Sequence, residues 1–125
     1  MAFQTEFVSF PIKRGKEARA QEWMDALRQH HDECVKTLDR EAMHFESIFR
    51  SVFDGVTYLS WFSVQDASGA LVTSSPFTVD KLHMEFWEEC VDRSVPPLTF
   101  EHVLSFIPPL VLAAIEDRKQ SLPPA

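Results

Sequence analysis

The sequence predicts one α+β domain with the element order βαββαβ, a four-stranded antiparallel sheet and an extra C-terminal helix. An Asp-Gly pair at 54–55 separates two β-rich runs, and a stretch with helical periodicity flanks this pair on each side. The 125 residues are 45% hydrophobic and 12% aromatic, which is enough to form the core of one domain.

The first two elements are a strand over residues 3–12 and a helix over residues 16–42. The strand is rich in aromatic and β-branched residues, and Gly15 provides the turn that follows it. Apolar residues then recur at helical spacing, which predicts one long amphipathic helix. On this helix His31 falls in the middle of the apolar stripe and His30 at its edge.

The Asp-Gly pair predicts a hairpin of strands 43–53 and 56–65, whose register follows from the two-residue turn. One side pairs Phe53–Val56, Ser51–Tyr58, Phe49–Ser60, Ser47–Phe62 and Phe45–Val64. The other side pairs Val52–Thr57, Arg50–Leu59, Ile48–Trp61, Glu46–Ser63 and His44–Gln65.

A polar connection over residues 66–77 precedes a helix that Thr78 caps and that extends to about Arg93. Its apolar face carries His83, with Trp87 near one edge. After two prolines, alternation over residues 98–107 predicts the last strand, and Pro108 and Pro109 open a short helix. We therefore expect a ferredoxin-like domain over residues 1–107 and a helical extension over 108–125.

Composition and charge narrow the classes of partner. The net charge is -7 and no basic patch can be drawn, so we expect no nucleic-acid partner. Without a leader-like start or a long apolar run, we expect no membrane partner and a cytoplasmic location. Cys34 and Cys90 fall on apolar helix faces and are predicted to be reduced thiols.

Four segments resemble, in order and spacing, a family of small bacterial proteins to which no activity is assigned. The segments are PIKRGKEARAQEWMDAL (11–27), FESIF (45–49), DGVTYLSWF (54–62) and DKLHMEFWEEC (80–90). The resemblance covers roughly residues 7–106 and looks like membership of the dimeric α+β barrel superfamily, in which two ferredoxin-like sheets pack face to face. That superfamily includes cofactor-free monooxygenases, haem-degrading enzymes, lactone isomerases and ligand-binding modules, so the resemblance implies architecture and no single function.

His83 is the strongest candidate for a functional residue, because an ionisable ring on an apolar face has a shifted pKa and can act as acid, base or ligand. The alternative is a core histidine held by a hydroxyl, for which Tyr58 or Ser60 is a candidate. We expect the ligand-binding residues to be His83, Trp87, Tyr58 and His31, with His83 the one catalytic candidate.

Two further clusters are weaker candidates. His31, Cys34, His83 and Cys90 are zinc-type ligands, but seven residues separate His83 from Cys90, so we predict no metal and no cofactor. His44, Glu46 and Arg50 share the mixed side of the hairpin and form a second candidate polar site.

The dimer interface is expected on the sheet face opposite the helices, at Ile48, Leu59 and Trp61, because these residues would otherwise leave an apolar patch in water. Three functions stay open: a homodimer that binds a small molecule between helices and sheet, a cofactor-free monooxygenase- or isomerase-like enzyme that uses His83, and a structural or regulatory interaction protein.

Overall fold

The computed structural model describes residues 3–66 and 77–121 and confirms the α+β class. The elements are β1 Gln4–Pro11, α1 Glu17–Gln29, α2 His31–Arg40, β2 Met43–Phe53, β3 Val56–Gln65, α3 Thr78–Cys90, β4 Leu98–Thr99 and α4 Pro109–Ser121. The strands form one sheet in the order β2-β3-β1-β4, and every neighbouring pair is antiparallel. This is the arrangement of a βαββαβ fold with a C-terminal helix.

The predicted hairpin register is confirmed from Phe53–Val56 to Phe45–Val64. Asp54 and Gly55 have φ values of 52° and 76°, as a two-residue hairpin turn requires. The predicted pair His44–Gln65 is wrong, because Gln65 pairs with Met43 and the ladder is irregular between Met43 and Phe45. A β-bulge thus removes His44 from the regular alternation.

The single long helix is also wrong, because α1 ends at Gln29 and α2 starts at His31. At the break, the His30 backbone (φ -100°, ψ 29°) leaves the helical region, although its amide still bonds Ala26 O at 3.1 Å. The break changes the direction of the side chains that follow. The His31 side chain, directly after the break, is 75% exposed.

The ends of α3 and β4 differ from the prediction. Phe77 and not Thr78 is the N-cap of α3, and the amide of Val79 bonds Glu33 Oε1 of α2 at 3.0 Å. The helix ends at Cys90, before an extended Val91 that bridges Ile12. Strand β4 has two residues, since the alternating apolar residues after Thr99 make no ladder with β1. Most of the predicted 66–77 connection lies outside the described residues.

One face of the sheet is covered by α1, α2 and α3 and holds the hydrophobic core. Trp23 of α1 lies at the centre of that core, with ring centroids 5.5 Å from Trp61 and 6.1 Å from Trp87. Leu59 is buried there, and Ile48 and Trp61 pack against it. The predicted interface at Ile48, Leu59 and Trp61 is therefore misplaced, because these residues lie under the helices and not on the opposite face.

The opposite face of the sheet carries most of the phenylalanines. Phe7 lies near Phe49, Phe62 and Phe100, with ring centroids 6.4, 6.5 and 4.7 Å away, respectively. Phe45 and Phe49 are about half exposed. We call this surface the phenylalanine face. Within residues 3–66 and 77–121, every helix is too short or too polar to span a bilayer.

Candidate ligand-binding site

Two adjoining cavities lie between the helices and the sheet. The outer cavity, about 460 Å³, lies between α1, α2 and the strands β2 and β3. The inner cavity, about 240 Å³, continues towards β1 and α3. Both are bordered by Leu27, Cys34, Glu46 and Ile48, so the two spaces share a wall. The two cavities are therefore adjacent, with these four side chains between them.

The inner cavity combines aromatic walls with several carboxyl groups. Its apolar lining includes Val8, Phe10, Leu27, Ile48, Trp61, Val79 and Trp87, and its polar lining includes Glu6, Thr37, Glu41, Glu46, Ser63, Asp80 and His83. No Lys or Arg belongs to the lining within the described ranges. A mostly apolar cavity with a few converging polar groups is typical of small-molecule sites.

His83 is held in one orientation by the core tryptophan of α1. The indole Nε1–H of Trp23 donates to His83 Nδ1 at 3.0 Å. Burial lowers the pKa of His83 to about 4, so the ring is neutral near pH 7. With Nδ1 accepting, the proton of the neutral ring is on Nε2. His83 can therefore donate one hydrogen bond through Nε2–H.

The predicted hydroxyl partners of His83 are wrong, because Tyr58 and Ser60 point to the phenylalanine face. Ser60 Oγ lies 2.5 Å from Ser9 Oγ, across the β1–β3 pair. Tyr58 lies opposite Pro11 on the same side of the sheet. Since the sheet separates these residues from His83, Tyr58 cannot join it in one cavity.

The carboxyl group of Glu41, which lines the inner cavity, has a pKa near neutral pH. Burial, followed by the charges of Asp80 and Glu46, raises its pKa to about 7. Burial, followed by Asp80, also raises the pKa of Glu46. Carboxyl groups that lie close together resist simultaneous ionisation. Glu41 can thus hold or release a proton near pH 7.

Cys34 is a poor nucleophile despite its place between the two cavities. Burial, followed by the charges of Asp80, Glu46 and Glu33, raises the pKa of its thiol. The thiol also donates to Leu27 O at 3.6 Å. Because the thiolate is the reactive form, this setting favours a lining role over covalent chemistry.

The four predicted ligand-binding residues are placed in different surroundings. His83 and Trp87 line the inner cavity, and His31 borders the outer one with its ring 3.4 Å from Asp32 Oδ1. Tyr58 belongs to neither cavity. Ligand binding by His83 and Trp87 stays a prediction that the geometry allows.

The second predicted cluster is split by the β-bulge. Glu46 and Arg50 line the cavities, and Arg50 bonds Gln21 of α1. The buried His44 ring lies elsewhere, with Nε2 3.2 Å from Asp66 Oδ2 and Nδ1 2.8 Å from Arg118 Nη1. His44 therefore takes part in anchoring α4.

Sequence reasoning missed Glu41 and Asp80. Asp80 precedes His83 by three residues on α3, so the two share a helix face, and this spacing was the available signal. Glu41 gives no such signal, because its place depends on where α2 ends. Across the described parts of the chain, no three His, Cys, Asp or Glu side chains are grouped closely enough to hold a metal ion.

The comparisons with known proteins extend the likeness seen in the four sequence segments. No curated protein and no solved structure matches the chain at a significant level. Residues 3–109 match a protein family described as Family of unknown function (DUF6176). This match covers β1 to β4 and the residue at which α4 begins. The chain therefore belongs to this family of unknown function.

Proposed function

We propose that the protein is a homodimer that binds a small molecule in the two cavities between its helices and its sheet. The observation that carries this proposal is the pair of adjoining cavities, about 460 and 240 Å³, beside a core in which Trp23 and Leu59 are fully buried. Clefts with largely apolar walls and a few polar groups that converge on them are the usual sites of small-molecule binding.

The polar groups of the inner cavity suit a ligand that is partly apolar and has hydrogen-bonding groups at one end. Trp61 and Trp87 supply flat apolar surface, while His83 offers a donor and Glu41 either a donor or an acceptor. The Trp23–His83 bond fixes the donor before the ligand arrives, which reduces the entropy lost on binding.

The interface of the proposed homodimer is the phenylalanine face. Half-exposed phenylalanine rings on one sheet face form an apolar patch of the kind that marks an interface. The dimeric barrel that the sequence resembles pairs two such faces. The proposed interface is therefore still the sheet face opposite the helices, but its residues are Phe7, Phe45, Phe49 and Phe62 in place of Ile48, Leu59 and Trp61.

Retention of a molecule during purification tests the ligand-binding proposal. We would compare native and denatured masses of the wild type, of Cys34→Phe, which places a ring in the shared wall, and of Lys36→Phe, which adds the same ring to the outer side of α2. If nothing is retained, the same three proteins would be screened against a small-molecule library by tryptophan fluorescence.

We expect binding by the wild type and Lys36→Phe, with at least a tenfold loss of affinity, about 1.4 kcal/mol, in Cys34→Phe. Equal binding by Cys34→Phe and the wild type would contradict the site. Absence of binding to all library members, together with a crystal structure in which side chains fill both cavities, would contradict the function.

An acid–base enzyme is the second candidate, and the observation that favours it is the pKa of Glu41 near 7. His83 suits that role less well, because it is neutral and its accepting nitrogen is occupied by Trp23. If a ligand is converted, the rate should follow the ionisation of a group near pH 7, and Glu41→Gln should abolish that dependence. An unchanged pH profile in Glu41→Gln would exclude Glu41 as the acid–base group.

A further inference from the structure

Residues 100–111, which we call the C-terminal arm, expose an unusual amount of apolar surface. The exposed fractions of Val103, Leu104, Phe106 and Leu110 are 87%, 67%, 88% and 86%. Single exposed apolar residues are common, but four within eight positions form a continuous apolar segment. Such a segment is expected to be covered in the assembled protein.

The arm is held at both ends and is not a free tail. At one end, β4 pairs with Val8 and Ser9 of β1, and the Phe100 ring lies 4.7 Å from the Phe7 ring. At the other end, Arg118 of α4 donates to Met43 O at 2.6 Å and to Asp39 Oδ1 at 2.5 Å. These contacts fix the course of the arm beside the sheet.

The arm and the phenylalanine face enclose a third cavity of about 420 Å³. Phe7, Phe49 and Phe62 border it on the sheet side, and Phe100, Val103 and Leu104 border it on the arm side. Because the arm is itself one wall, and because Phe106 and Leu110 are almost fully exposed, the protomer does not fill this space with its own arm.

We propose that the arm of a second copy covers this surface, with the partner's Phe106 and Leu110 packing against the cavity of about 420 Å³ and the reverse contact made on the other side. This proposal rests on the homodimer named above and adds the arm to its interface. A twofold dimer forms both contacts at once, since a self-complementary patch occurs in each protomer.

The charge of the surfaces favours a second copy over another macromolecule. The strand positions on the phenylalanine face carry no charged side chain in β1, β2, β3 or β4; they are Thr5, Phe7, Ser9, Pro11, Phe45, Ser47, Phe49, Ser51, Phe53, Val56, Tyr58, Ser60, Phe62, Val64 and Leu98. The charged residues that line the cavity are the acids Glu6 and Glu101, which would repel an acidic partner. Residues 103–110 of a second copy carry no charged side chain and can pack there without like-charge repulsion.

Oligomeric state tests the arm separately from the face. We would measure the dimer dissociation constant by analytical ultracentrifugation for the wild type, for the double variant Phe106→Ser/Leu110→Ser, and for Phe49→Ser on the face. The control is Val52→Ser, at an exposed apolar residue near the hairpin end whose side chain points away from the phenylalanine face. Mixed isotope labelling would add intermolecular NOEs between the rings of Phe106 and the partner's Phe62.

We expect the arm double variant to raise the dissociation constant at least about 100-fold, because each lost side chain occurs twice in the dimer. We expect Val52→Ser to leave it unchanged. If Phe49→Ser dissociates the dimer while the arm variant does not, the arm proposal is overturned and the face dimer stands. A monomeric wild type overturns both.

Discussion

The two faces of the sheet differ in the charge of their strand residues, and the face that the helices cover is the one with charged side chains. The face under the helices carries Glu6, Glu46 and Arg50 at exposed positions beside its core, whereas the phenylalanine face carries no charge at its strand positions. The helices cover the apolar residues of this face, and its charged side chains line the two open cavities beside them. Polar content alone therefore does not tell which face is covered within one protomer.

Substitution by Glu at one position on each face should give the largest contrast. Trp61→Glu places a carboxylate among Phe10, Trp23 and Trp87, and we expect a loss of roughly 3–5 kcal/mol or complete unfolding. Phe49→Glu should leave a folded protomer that does not dimerise. Circular dichroism with urea and light scattering distinguish the two results, and a folded, monomeric Trp61→Glu would contradict the placement.

His31 and His83, which the sequence placed on the apolar faces of two different helices, should also differ. His83→Ala removes a ring packed against Trp23 and leaves the indole Nε1–H without its acceptor, so we expect a loss of about 2–4 kcal/mol. His31→Ala, at an exposed ring, should change stability by less than about 0.5 kcal/mol. Equal urea midpoints for the two variants would show that His83 borders open space and not the core.

Glu41 should make the covered face sensitive to pH. Its folded pKa of about 7 exceeds the ordinary value of 4.5, so its contribution to stability is fully present below pH 4.5 and is lost as pH rises through 7. Glu41→Gln should therefore gain about 1–3 kcal/mol relative to the wild type between pH 4.5 and pH 8. Glu85→Gln, on the exposed side of α3, is the control, and a constant difference across pH would contradict the assignment.

A modest loss of stability is expected for changes to the serine pair on the phenylalanine face. Ser9 and Ser60 are buried and their hydroxyl oxygens lie 2.5 Å apart, so either single change to Ala should cost about 0.5–1.5 kcal/mol. The double variant should cost less than the sum of the two, because it leaves no hydroxyl without a partner. Additive losses in a urea double-mutant cycle would show that the two hydroxyls do not depend on each other.

Local chemistry explains what could be predicted from the sequence. The hairpin register depends only on the Asp54–Gly55 turn, so it was predictable down to Phe45. The side of the sheet that the helices cover could not be predicted in this way. The alternation of side chains along a strand assigns residues to two faces but does not indicate which face packs against the helices. The interface residues were misplaced for this reason.

Irregular backbone explains most of the other differences. The break at His30 and the bulge at His44 each shift the side chains that follow, and no residue pattern marks either of them. The candidate site was predicted in part: His83, Trp87, Glu46 and Arg50 border the cavities. Glu41 was missed because its position depends on the end of α2, which the sequence placed two residues too late.

The bulge between Met43 and Phe45 also bears on how this family can vary in length. The turn at Asp54–Gly55 sets the pairing of β2 with β3, starting from the end of the hairpin opposite His44. An extra residue near His44 can therefore form a bulge there without changing the rest of the pairing. Relatives with one residue more or fewer between α2 and β2 should therefore keep the phenylalanine face and both cavities. Insertions and deletions in the family are expected to concentrate at this point and to be rare within the hairpin.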